Sequence, residues 1–506
     1  MNGYATMMSL PAHVAAVLFL SLSLAGMAAA REDTVGITLK DAIRMAAEKN
    51  LDVKAELYNP ALAEAAIRKN RGIYDPLFSS DTTQIHYGED RGVNLGSGYI
   101  GASKSFYLNA GINQLIPWGG NVGLGFTNGW TKTESGNASE SYRNTLEVTI
   151  SQPLLKNFGR ESTELNISVA QFGKDASLEQ FRTKLTDIVT QVRTEYFKLY
   201  NFREDLEVKK SSLALAEKVL NETRARVKAG VLPAMEILSA EATVSTRERD
   251  VINAERNLRD ESDLLRTLLQ LEGTVLISPS DEPIASAVQI DDAEALKRAQ
   301  ETRSELRQLR ESLKSAELQE RVARHQVMPD LTLYAGAGLS GSNRDYGKQW
   351  EGLLKGDYPV WNVGMTFSYP LGNTSAKNDY ITAKLKAEQL RTQIRSKEEG
   401  IANEVRSAIR ALHAGYKQLD VTKRGSAYAA EVLNAYIKKA AVGLATTKDV
   451  FDVQDKLVTA KGAEISARTG YDNALTQYWK TTGELLDREG IRITGKQADT
   501  LYGKMK

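Results

Sequence analysis

Two aspartates, Asp449 and Asp452, lie three residues apart at the start of a predicted helix, so their carboxylates share one helical face. Glu236 occupies the corresponding place in an earlier stretch of similar sequence. Carboxylates grouped in this way can bind a cation, or they can complement the positive end of the helix dipole. The spacing alone leaves both interpretations open.

Other residues that carry enzymatic or metal chemistry are scarce. The 506-residue chain contains no cysteine, and its four histidines, His13, His86, His325 and His413, are far apart in sequence. We therefore expect no catalytic, metal-binding or cofactor-binding residues and no enzymatic activity. The formal net charge of +1 argues against a nucleic-acid partner.

The N-terminus has the pattern of a cleaved secretory signal peptide, predicted for residues 1–30. An apolar run ends in small residues, with Ala28 and Ala30 at the spacing of a cleavage site, and charged residues begin at Arg31. An N-terminal membrane anchor is the alternative. Since no later segment is apolar enough for a membrane helix, we expect a periplasmic, secreted or outer-membrane protein.

The remaining sequence contains an internal duplication, with two copies of one unit. Pro76 and Pro329 mark equivalent positions, as do Gly230 and Gly443, because similar residues accompany each pair in the same order. The spacing of the landmarks shows that the first copy carries about 36 additional residues. This length suits one more β-hairpin.

Two periodicities alternate between these landmarks. Apolar residues recur every seventh position from Leu185 to Val227 and again from Ile237 to Leu265, which predicts long helices that pack side by side. We expect the partners of these apolar seams to include helices of other subunits. As one helix, residues 157–229 would be about 110 Å long.

The intervening segments alternate with period two and are predicted as half-buried strands. Trp361, Val363 and Met365 share one face, and the opposite face is small and polar, which is typical of a membrane barrel with a wet lumen. An ordinary soluble sheet is the alternative. The additional hairpin is predicted within residues 101–134, with its turn at Trp118–Asn121, and would give up to six strands.

The order of these features resembles the TolC-type outer-membrane channel-tunnel proteins, the outer membrane efflux protein family. The resemblance runs from Ile37 to Leu486 and depends on the duplicated strand–helix unit together with four short motifs. These motifs are QPLL at Gln152–Leu155, YPLG at Tyr369–Gly372, KAGVLPAMEILSAEA at Lys228–Ala242 and AVGLATTKDVFDVQ at Ala441–Gln454.

The resemblance implies an α+β membrane protein in which a homotrimer closes an outer-membrane β-barrel that is continuous with a periplasmic α-helical barrel. It implies an exit duct of a tripartite efflux pump or type I secretion system, with gated passive conduction. A periplasmic adaptor and an inner-membrane pump would be its partners, and outer-membrane lipid would surround it. The alternative function is a periplasmic coiled-coil adaptor or scaffold without a pore.

The predicted organisation follows the duplication. The first repeat covers residues 31–273, a linker in the equatorial region covers 274–291, the second repeat covers 292–486 and a C-terminal tail covers 487–506. Helices are predicted at 39–71, 157–229 and 234–272, and again at 292–327, 376–442 and 447–483. The strands are predicted within 76–153 and 329–370.

The resemblance also assigns roles to the helix turns. It implies that Asp449, Asp452 and Glu236 form a periplasmic gate. It further implies that Gly230, Val231, Gly443 and Leu444 form tip turns where the adaptor docks. The best-known family members place a clasping Tyr and Arg where this chain has Ala440 and Ala445, which leaves Lys439 and Lys448 as candidate clasp residues.

Overall fold

The computed structural model describes residues 34–88, 102–133 and 139–505; the predicted signal peptide lies outside these residues. The chain forms two compact units. The first comprises the described residues up to Met45, Thr194–Pro283 and Thr422–Thr469, and the second comprises Ala46–Arg193, Ile284–Val421 and the residues from Gly470 onward. Nowhere in the described ranges does a helix have the length and apolar character needed to span a membrane.

The strands in the described chain belong to two sheets. In chain order they are β1 (Thr34–Ile37), β2 (Leu77–Tyr87), β3 (Ser103–Leu115), β4 (Asn121–Thr133), β5 (Ser139–Pro153), β6 (Leu276–Pro279), β7 (Asp330–Asn343) and β8 (Tyr358–Ser368). Two helices far exceed the others in length, α4 with 64 residues and α9 with 68. The α-helices are α1 (Leu39–Lys49), α2 (Leu51–Arg71), α3 (Arg160–Thr163), α4 (Leu165–Lys228), α5 (Met235–Leu269), α6 (Asp292–Thr302), α7 (Ser304–Gln326), α8 (Tyr346–Lys355), α9 (Thr374–Ala441), α10 (Thr447–Thr482), α11 (Leu485–Arg488) and α12 (Lys496–Lys504).

The short helical run at the start of each repeat is divided in two, where the sequence pattern predicts a single helix. The first run breaks at Asn50, whose side-chain oxygen accepts hydrogen bonds from the N–H groups of Asp52 (2.9 Å) and Val53 (3.2 Å) and so caps α2. The second run breaks at the equivalent residue, Arg303. The two repeats therefore share the break as well as the helices.

The second unit contains a six-stranded antiparallel sheet in the order β2-β3-β4-β5-β7-β8. The predicted additional hairpin is β3–β4, and its turn is closed by the Ile116 N–H, which donates to the Gly120 carbonyl oxygen (2.8 Å). Gly119 lies in this turn at a φ of 85°, a left-handed conformation that favours glycine. The prediction of six strands is confirmed.

The two faces of the sheet differ in polarity, as the period-two pattern predicts. We call one the apolar face, and its exposed members include Leu124, Val148, Ile150, Trp361, Val363, Met365 and Phe367. The other, the polar face, is rich in glycine. Tyr107 and Tyr334 lie opposite Gly129 and Gly364 on this face, and a Cβ on either glycine would overlap the tyrosine side chain. Small residues thus make room for large rings that lie across the strands.

The C-terminal tail is tied to the second unit by buried charges. Arg193 of α4 is 3 % exposed, and its guanidinium bonds the carboxylates of Asp472 (3.2 Å) and Glu489 (2.5 Å). The ring of Trp479 lies between Arg193 and Arg488, with guanidinium-to-ring distances of 5.1 and 4.9 Å. A buried charge is tolerated here because each is paired.

The first unit contains a small parallel sheet, β1–β6, held by one tyrosine of α4. The Tyr196 hydroxyl donates to the Ile37 carbonyl oxygen (2.9 Å) and accepts from the N–H groups of Ser280 and Asp281 (3.0 Å each). The segment 274–291, predicted as a linker, therefore contains a strand that pairs with the beginning of the described chain.

The apolar seam of α4 has partners within the first unit. Leu213 and Leu220 pack in one cluster with Ala240 and Val244 of α5 and with Phe451 of α10. The partners of this stretch of the seam include helices of the same chain, and further partners in other subunits stay a prediction. The contacts within the chain arise because the short turn after α4 brings α5 back alongside it.

A buried acid lies near the β1–β6 sheet, and burial raises its pKa. Glu261 of α5 is 4 % exposed, its Oε2 atom is 2.7 Å from the Lys198 ammonium, and its Oε1 atom has no hydrogen-bond partner. Desolvation, with a further contribution from the neighbouring Glu195 carboxylate, raises the pKa of Glu261 from 4.5 to about 7, although Lys198 opposes the shift.

We expect Glu261→Gln to change the pH dependence of stability. The folded-state pKa lies above the unfolded value, so the folded protein binds the extra proton and loses stability as pH rises from about 4.5 through about 7. The amide keeps the hydrogen-bonding shape without the charge. The free energy of unfolding in urea should therefore rise by up to about 3 kcal/mol at pH 8 and change little at pH 5.

A matched control is Glu207→Gln on α4, whose side chain is 65 % exposed beside Lys210. This variant should leave the pH dependence as it is in the parent protein. A Glu261→Gln protein that lost stability equally at pH 5 and pH 8 would show that the carboxylate is charged in the folded state throughout.

Candidate functional site

The first helix turn ends α4 with a glycine-dependent cap. Gly230 has a φ of 73°, its N–H donates to the Val227 carbonyl oxygen (2.9 Å), and the Val231 N–H donates to the Arg226 carbonyl oxygen (2.9 Å). These two bonds are those of a Schellman motif, which satisfies carbonyl groups that the helix leaves unpaired at its end.

The second turn ends α9 with the same geometry. Gly443 has a φ of 80°, its N–H donates to the Ala440 carbonyl oxygen (3.2 Å), and the Leu444 N–H donates to the Lys439 carbonyl oxygen (2.9 Å). The four residues predicted as tip turns thus occupy two equivalent pairs of positions. Each pair consists of the left-handed glycine and the apolar residue that follows it.

The apolar residues of these pairs are exposed. Val231 is 70 % exposed and Leu444 is 77 % exposed. In most Schellman motifs this side chain packs on the residue five positions earlier. Here those residues are Arg226 and Lys439, whose side chains are cationic, and the apolar side chains stay exposed.

Asp449 is part of a capping box at the start of α10. Its carboxylate accepts hydrogen bonds from the Thr446 N–H (2.8 Å) and hydroxyl (2.7 Å), and its own N–H donates to the Thr446 hydroxyl oxygen (3.1 Å). The bonds from Thr446, together with the nearby Lys448 charge, lower the pKa of Asp449. This aspartate therefore stabilises a helix terminus while remaining partly accessible.

The other two predicted gate residues are less constrained. Asp452 is exposed one helical turn after Asp449, and in the described residues its carboxylate has no bonding partner. Glu236 is partly exposed in the first turn of α5. Glu236 and Asp449 line a common cleft of about 640 Å³, whereas Asp452 does not contribute to it.

This cleft lies between the two turns, within the first unit. Its walls combine apolar side chains with charged ones of both signs. They include Leu215, Lys218, Val219, Glu222, Arg226, Val231, Glu236, Ile437, Leu444 and Asp449. In the described ranges, no cluster of three or more His, Cys, Asp or Glu side chains is arranged to hold a metal ion.

A hydrogen bond that sequence reasoning missed connects the two repeats at this cleft. The Arg226 guanidinium donates through Nη1 to the Ala440 carbonyl oxygen (2.8 Å). The duplication does not predict this bond, because Lys439, which precedes Gly443 by four residues as Arg226 precedes Gly230, makes a different contact. Of the two lysines predicted as clasp residues, Lys439 lies over the ring of Tyr436 (5.2 Å) and Lys448 lies next to Asp449.

Two further ties join helices of the first unit. Gln454 of α10 is 2 % exposed and donates through Nε2 to the carbonyl oxygen (2.7 Å) and hydroxyl (3.0 Å) of Ser212 on α4. Arg247 of α5 forms an ion pair with Asp455 of α10. The two repeats are thus joined by polar bonds as well as by the apolar cluster around Phe451.

Solved structures with this fold are outer-membrane channels. The chain is similar to the Campylobacter jejuni outer-membrane channel CmeC, with a TM-score of 0.61 and 15 % identity over 92 % of this chain and 89 % of CmeC. It is also similar to the open state of the Neisseria gonorrhoeae channel MtrE, with a TM-score of 0.60 and 19 % identity over 88 % and 89 % of the two chains. The fold is therefore that of an outer-membrane channel.

Sequence similarity identifies the family of this chain. The model of the outer membrane efflux protein family matches residues 121–270 and 295–484, one stretch in each repeat and more than half of the chain. The chain belongs to the outer membrane efflux protein family, and it is an efflux channel protein of the outer membrane. The resemblance to the TolC-type proteins and the duplicated fold class are confirmed.

Two curated relatives agree with this assignment. The chain is 23 % identical to outer membrane protein TolC of Vibrio cholerae serotype O1 over 357 residues, which cover 67 % of this chain and 78 % of the relative. It is 22 % identical to outer membrane efflux protein BepC of Brucella suis biovar 1 over 366 residues, which cover 72 % and 77 %.

We expect Gly443→Ala to loosen the second turn. A left-handed φ costs a residue with a Cβ roughly 1–2 kcal/mol, and no atom lies within 4 Å of the added carbon, so the effect is one of backbone conformation alone. Amide hydrogen exchange across residues 439–446 should become several-fold faster, because the Gly443 and Leu444 N–H bonds are weakened.

Gly425→Ala is the matched control. Gly425 lies inside α9, has right-handed backbone geometry and also has open space around its Cα. Alanine is favoured over glycine in a helix interior by about 1 kcal/mol. Exchange near residue 425 should become slower; equal effects of the two substitutions would contradict the role assigned to the Gly443 conformation.

Proposed function

We propose that three copies of this chain form a gated exit duct through the outer membrane, energised by an inner-membrane pump and connected to it by a periplasmic adaptor. The duct would serve a tripartite efflux pump or a type I secretion system. The six-stranded sheet with one apolar face and two open edges carries this proposal.

The open edges require assembly in a membrane. In the described sheet β2 and β8 each pair on one side only, so each presents unpaired N–H and C=O groups. Such groups are costly in lipid, where no water replaces the missing bonds. β2 and β8 run in opposite directions, so β8 of one copy can pair in antiparallel fashion with β2 of the next. Three copies would give a barrel of 18 strands.

The polarity of the sheet supports a wet lumen. The exposed apolar face suits contact with lipid, and the polar face, lined by glycine, asparagine and threonine, suits contact with water. Conduction through such a duct is passive, so the direction and the energy of export come from the partner pump.

The helix turns support a gate and a docking site. Asp449, Asp452 and Glu236 place carboxylates at or beside one cleft, and a trimer would bring three sets of these charges around its axis. Arg226 and the Ala440 carbonyl oxygen hold the two turns together within one copy and replace the Tyr and Arg clasp that the chain lacks. Val231 and Leu444 offer two exposed apolar contacts for the adaptor.

Disulfide cross-linking tests the closure of the sheet. Because the chain has no cysteine, Ser80→Cys in β2 can be combined with Trp361→Cys, Val363→Cys or Met365→Cys in β8. We expect at least one pair to give covalent trimers after oxidation in outer-membrane vesicles, since neighbouring strands bring Cα atoms within disulfide range.

The matched control replaces Ser80→Cys with Leu124→Cys in β4, which is paired on both sides within one chain. This position should give no cross-linked oligomer with any of the three β8 cysteines. Failure of every Ser80 pair, together with recovery of the mature protein as a soluble monomer, would refute the duct.

Charge removal tests the gate. Asp449→Asn together with Asp452→Asn removes six carboxylates from a trimer, and Asn at position 449 still accepts the Thr446 bonds that cap α10. We expect block of single-channel current by hexaamminecobalt(III) in planar bilayers to weaken by at least tenfold. Export in cells through a bound pump should continue, because the partner opens the gate.

Asp455→Asn is the matched control, since Asp455 lies on the same helix and is paired with Arg247. It should leave the block as strong as in the parent channel. Unchanged cation sensitivity in the double variant would remove Asp449 and Asp452 from the conduction path.

A further inference from the structure

Helix α8, in the connection between β7 and β8, folds back over the apolar face of the sheet. Its Trp350 ring stacks on Phe126 of β4 (5.6 Å between ring centroids), and its Tyr346 ring meets Tyr142 of β5 edge-on (5.5 Å). Leu353, a residue of α8, is buried. This ten-residue helix thus covers a surface that would otherwise face outward.

The covered area is the part of the sheet far from the strand–helix junctions. Strand register places Phe126, Leu146 and Leu339 side by side. The covered area extends from there over the next two rows of paired residues, toward the end of the sheet where β7 leads into α8. On β4, apolar-face positions run from Val122 to Trp130, about 27 Å at the strand rise, which is close to the height of a lipid-facing belt. α8 covers the outer half of this belt.

The surface beneath α8 contains two amide side chains among its apolar ones. Asn128 and Asn144 lie side by side there, Asn144 is fully buried, and neither polar atom of its side chain has a hydrogen-bond partner in the described chain. The buried Gln349 of α8 faces them and donates through Nε2 to the Asn128 side-chain oxygen (3.4 Å). Amides in contact with lipid are costly, so their presence at this level requires a cover.

The backbone under the helix is shaped for close approach. Gly341 of β7 lies directly against α8, and a Cβ there would overlap the Gln349 carbonyl oxygen. The helix also has well-defined ends, because Asp345 caps its first N–H groups (2.8 Å to Gly347) and Gly356 ends it at a φ of 71°.

The outward side of α8 is amphipathic. Leu354 is 83 % exposed and lies next to Trp350 on one flank, while Lys348, Glu351 and Lys355 are exposed on the remaining surface. Aromatic and aliphatic side chains beside lysines are typical of helices that lie at a membrane interface, since long lysine side chains reach the headgroups.

We propose that α8 is an interfacial helix in contact with outer-leaflet lipid, with Leu354 among the acyl chains and Lys348 and Lys355 at the headgroups. The inference rests on the proposed function, because it takes the apolar face of the sheet as the lipid-facing surface. The exposed Trp361, Val363 and Met365 of β8 share the face that α8 covers, which identifies lipid as the occupant. α8 then replaces lipid over the two asparagines and presents a new apolar contact at the rim.

Site-directed spin labelling tests this contact. Single cysteines at Leu354→Cys, Val363→Cys and Thr366→Cys carry a nitroxide in protein reconstituted into phosphatidylethanolamine–phosphatidylglycerol vesicles. The ratio of accessibility to oxygen over accessibility to nickel ethylenediaminediacetate is high in lipid and low in water. We expect this ratio at residue 354 to be several-fold higher than at residue 366, which lies on the polar face, and lower than at residue 363 in the belt.

The accessibility ratios distinguish contact of α8 with lipid from contact with water or with a protein partner. A ratio at residue 354 equal to that at 366, with a high ratio at 363, would place α8 in water and refute this inference alone. Protection of residue 354 from both reagents would indicate a protein partner instead of lipid and would also refute it. A low ratio at 363 as well would refute the membrane-spanning sheet and with it the proposed function.

A second pair of variants tests whether the accessibility ratio at residue 354 depends on the packing of α8 on the sheet. Gly341→Ala should displace α8 through the overlap with Gln349 and lower the ratio at residue 354 several-fold, while the ratio at 363 stays high. Gly347→Ala is its control, because the added carbon meets only the Asp345 carboxylate at 3.4 Å. An unchanged ratio at residue 354 in Gly341→Ala would contradict the packing of α8 on the sheet.

Discussion

Backbone hydrogen bonding at the edges of the six-stranded sheet is the constraint on which the rest depends. A sheet with an exposed apolar face can be surrounded by lipid only if no N–H or C=O group is left unpaired. In the described part of one copy, β2 and β8 each pair on one side only. The additional hairpin, β3–β4, changes the width of the sheet but leaves this requirement as it is, because two strands are added together and the edge strands still run in opposite directions. If the sheet lies in lipid as proposed, pairing of its edge strands with neighbouring copies follows from the same hydrogen bonds that form the sheet.

The duplication is preserved in backbone geometry more closely than in side-chain chemistry. Both turns end a long helix with a left-handed glycine and the same pair of hydrogen bonds. Around that common cap the charges differ, since Arg226 reaches across to the other repeat whereas Lys439 lies over Tyr436. Asp449 has a structural role in the described chain, while its role in a gate stays a prediction. It caps α10 with Thr446, which is a structural role, and it still presents a carboxylate to the cleft.

Buried polar groups hold distant parts of the chain together within each unit. Arg193 pairs with Asp472 and Glu489, Tyr196 joins three backbone groups, and Gln454 bonds Ser212. Long helices packed in pairs bury only narrow apolar seams, so directional bonds fix their register. The amides under α8 follow the same principle in the sheet, where Gln349 faces Asn128 and Asn144.

The sequence by itself determined the elements and their duplication. Period-seven and period-two patterns show which side of a helix or strand is apolar, so the long helices, the strands of the six-stranded sheet, the additional hairpin at Trp118–Asn121 and the positions of Gly230 and Gly443 could be predicted. The family followed from their order. These are local properties, set by residues close together in the chain.

Only the tertiary structure decided which distant groups meet. The bond from Arg226 to Ala440, the strand β6 inside a predicted linker and the partners of Leu213 within the same chain depend on contacts between residues far apart in sequence. The break at Asn50 depends on a side chain that accepts hydrogen bonds from the N–H groups of Asp52 and Val53, which competes with a continuous helix and leaves no trace in the apolar pattern. The position of α8 also depends on contacts between residues far apart in sequence. Residues 346–355 lie in a range predicted to contain strands, and only the structure shows a helix there that lies on the apolar face above two asparagines.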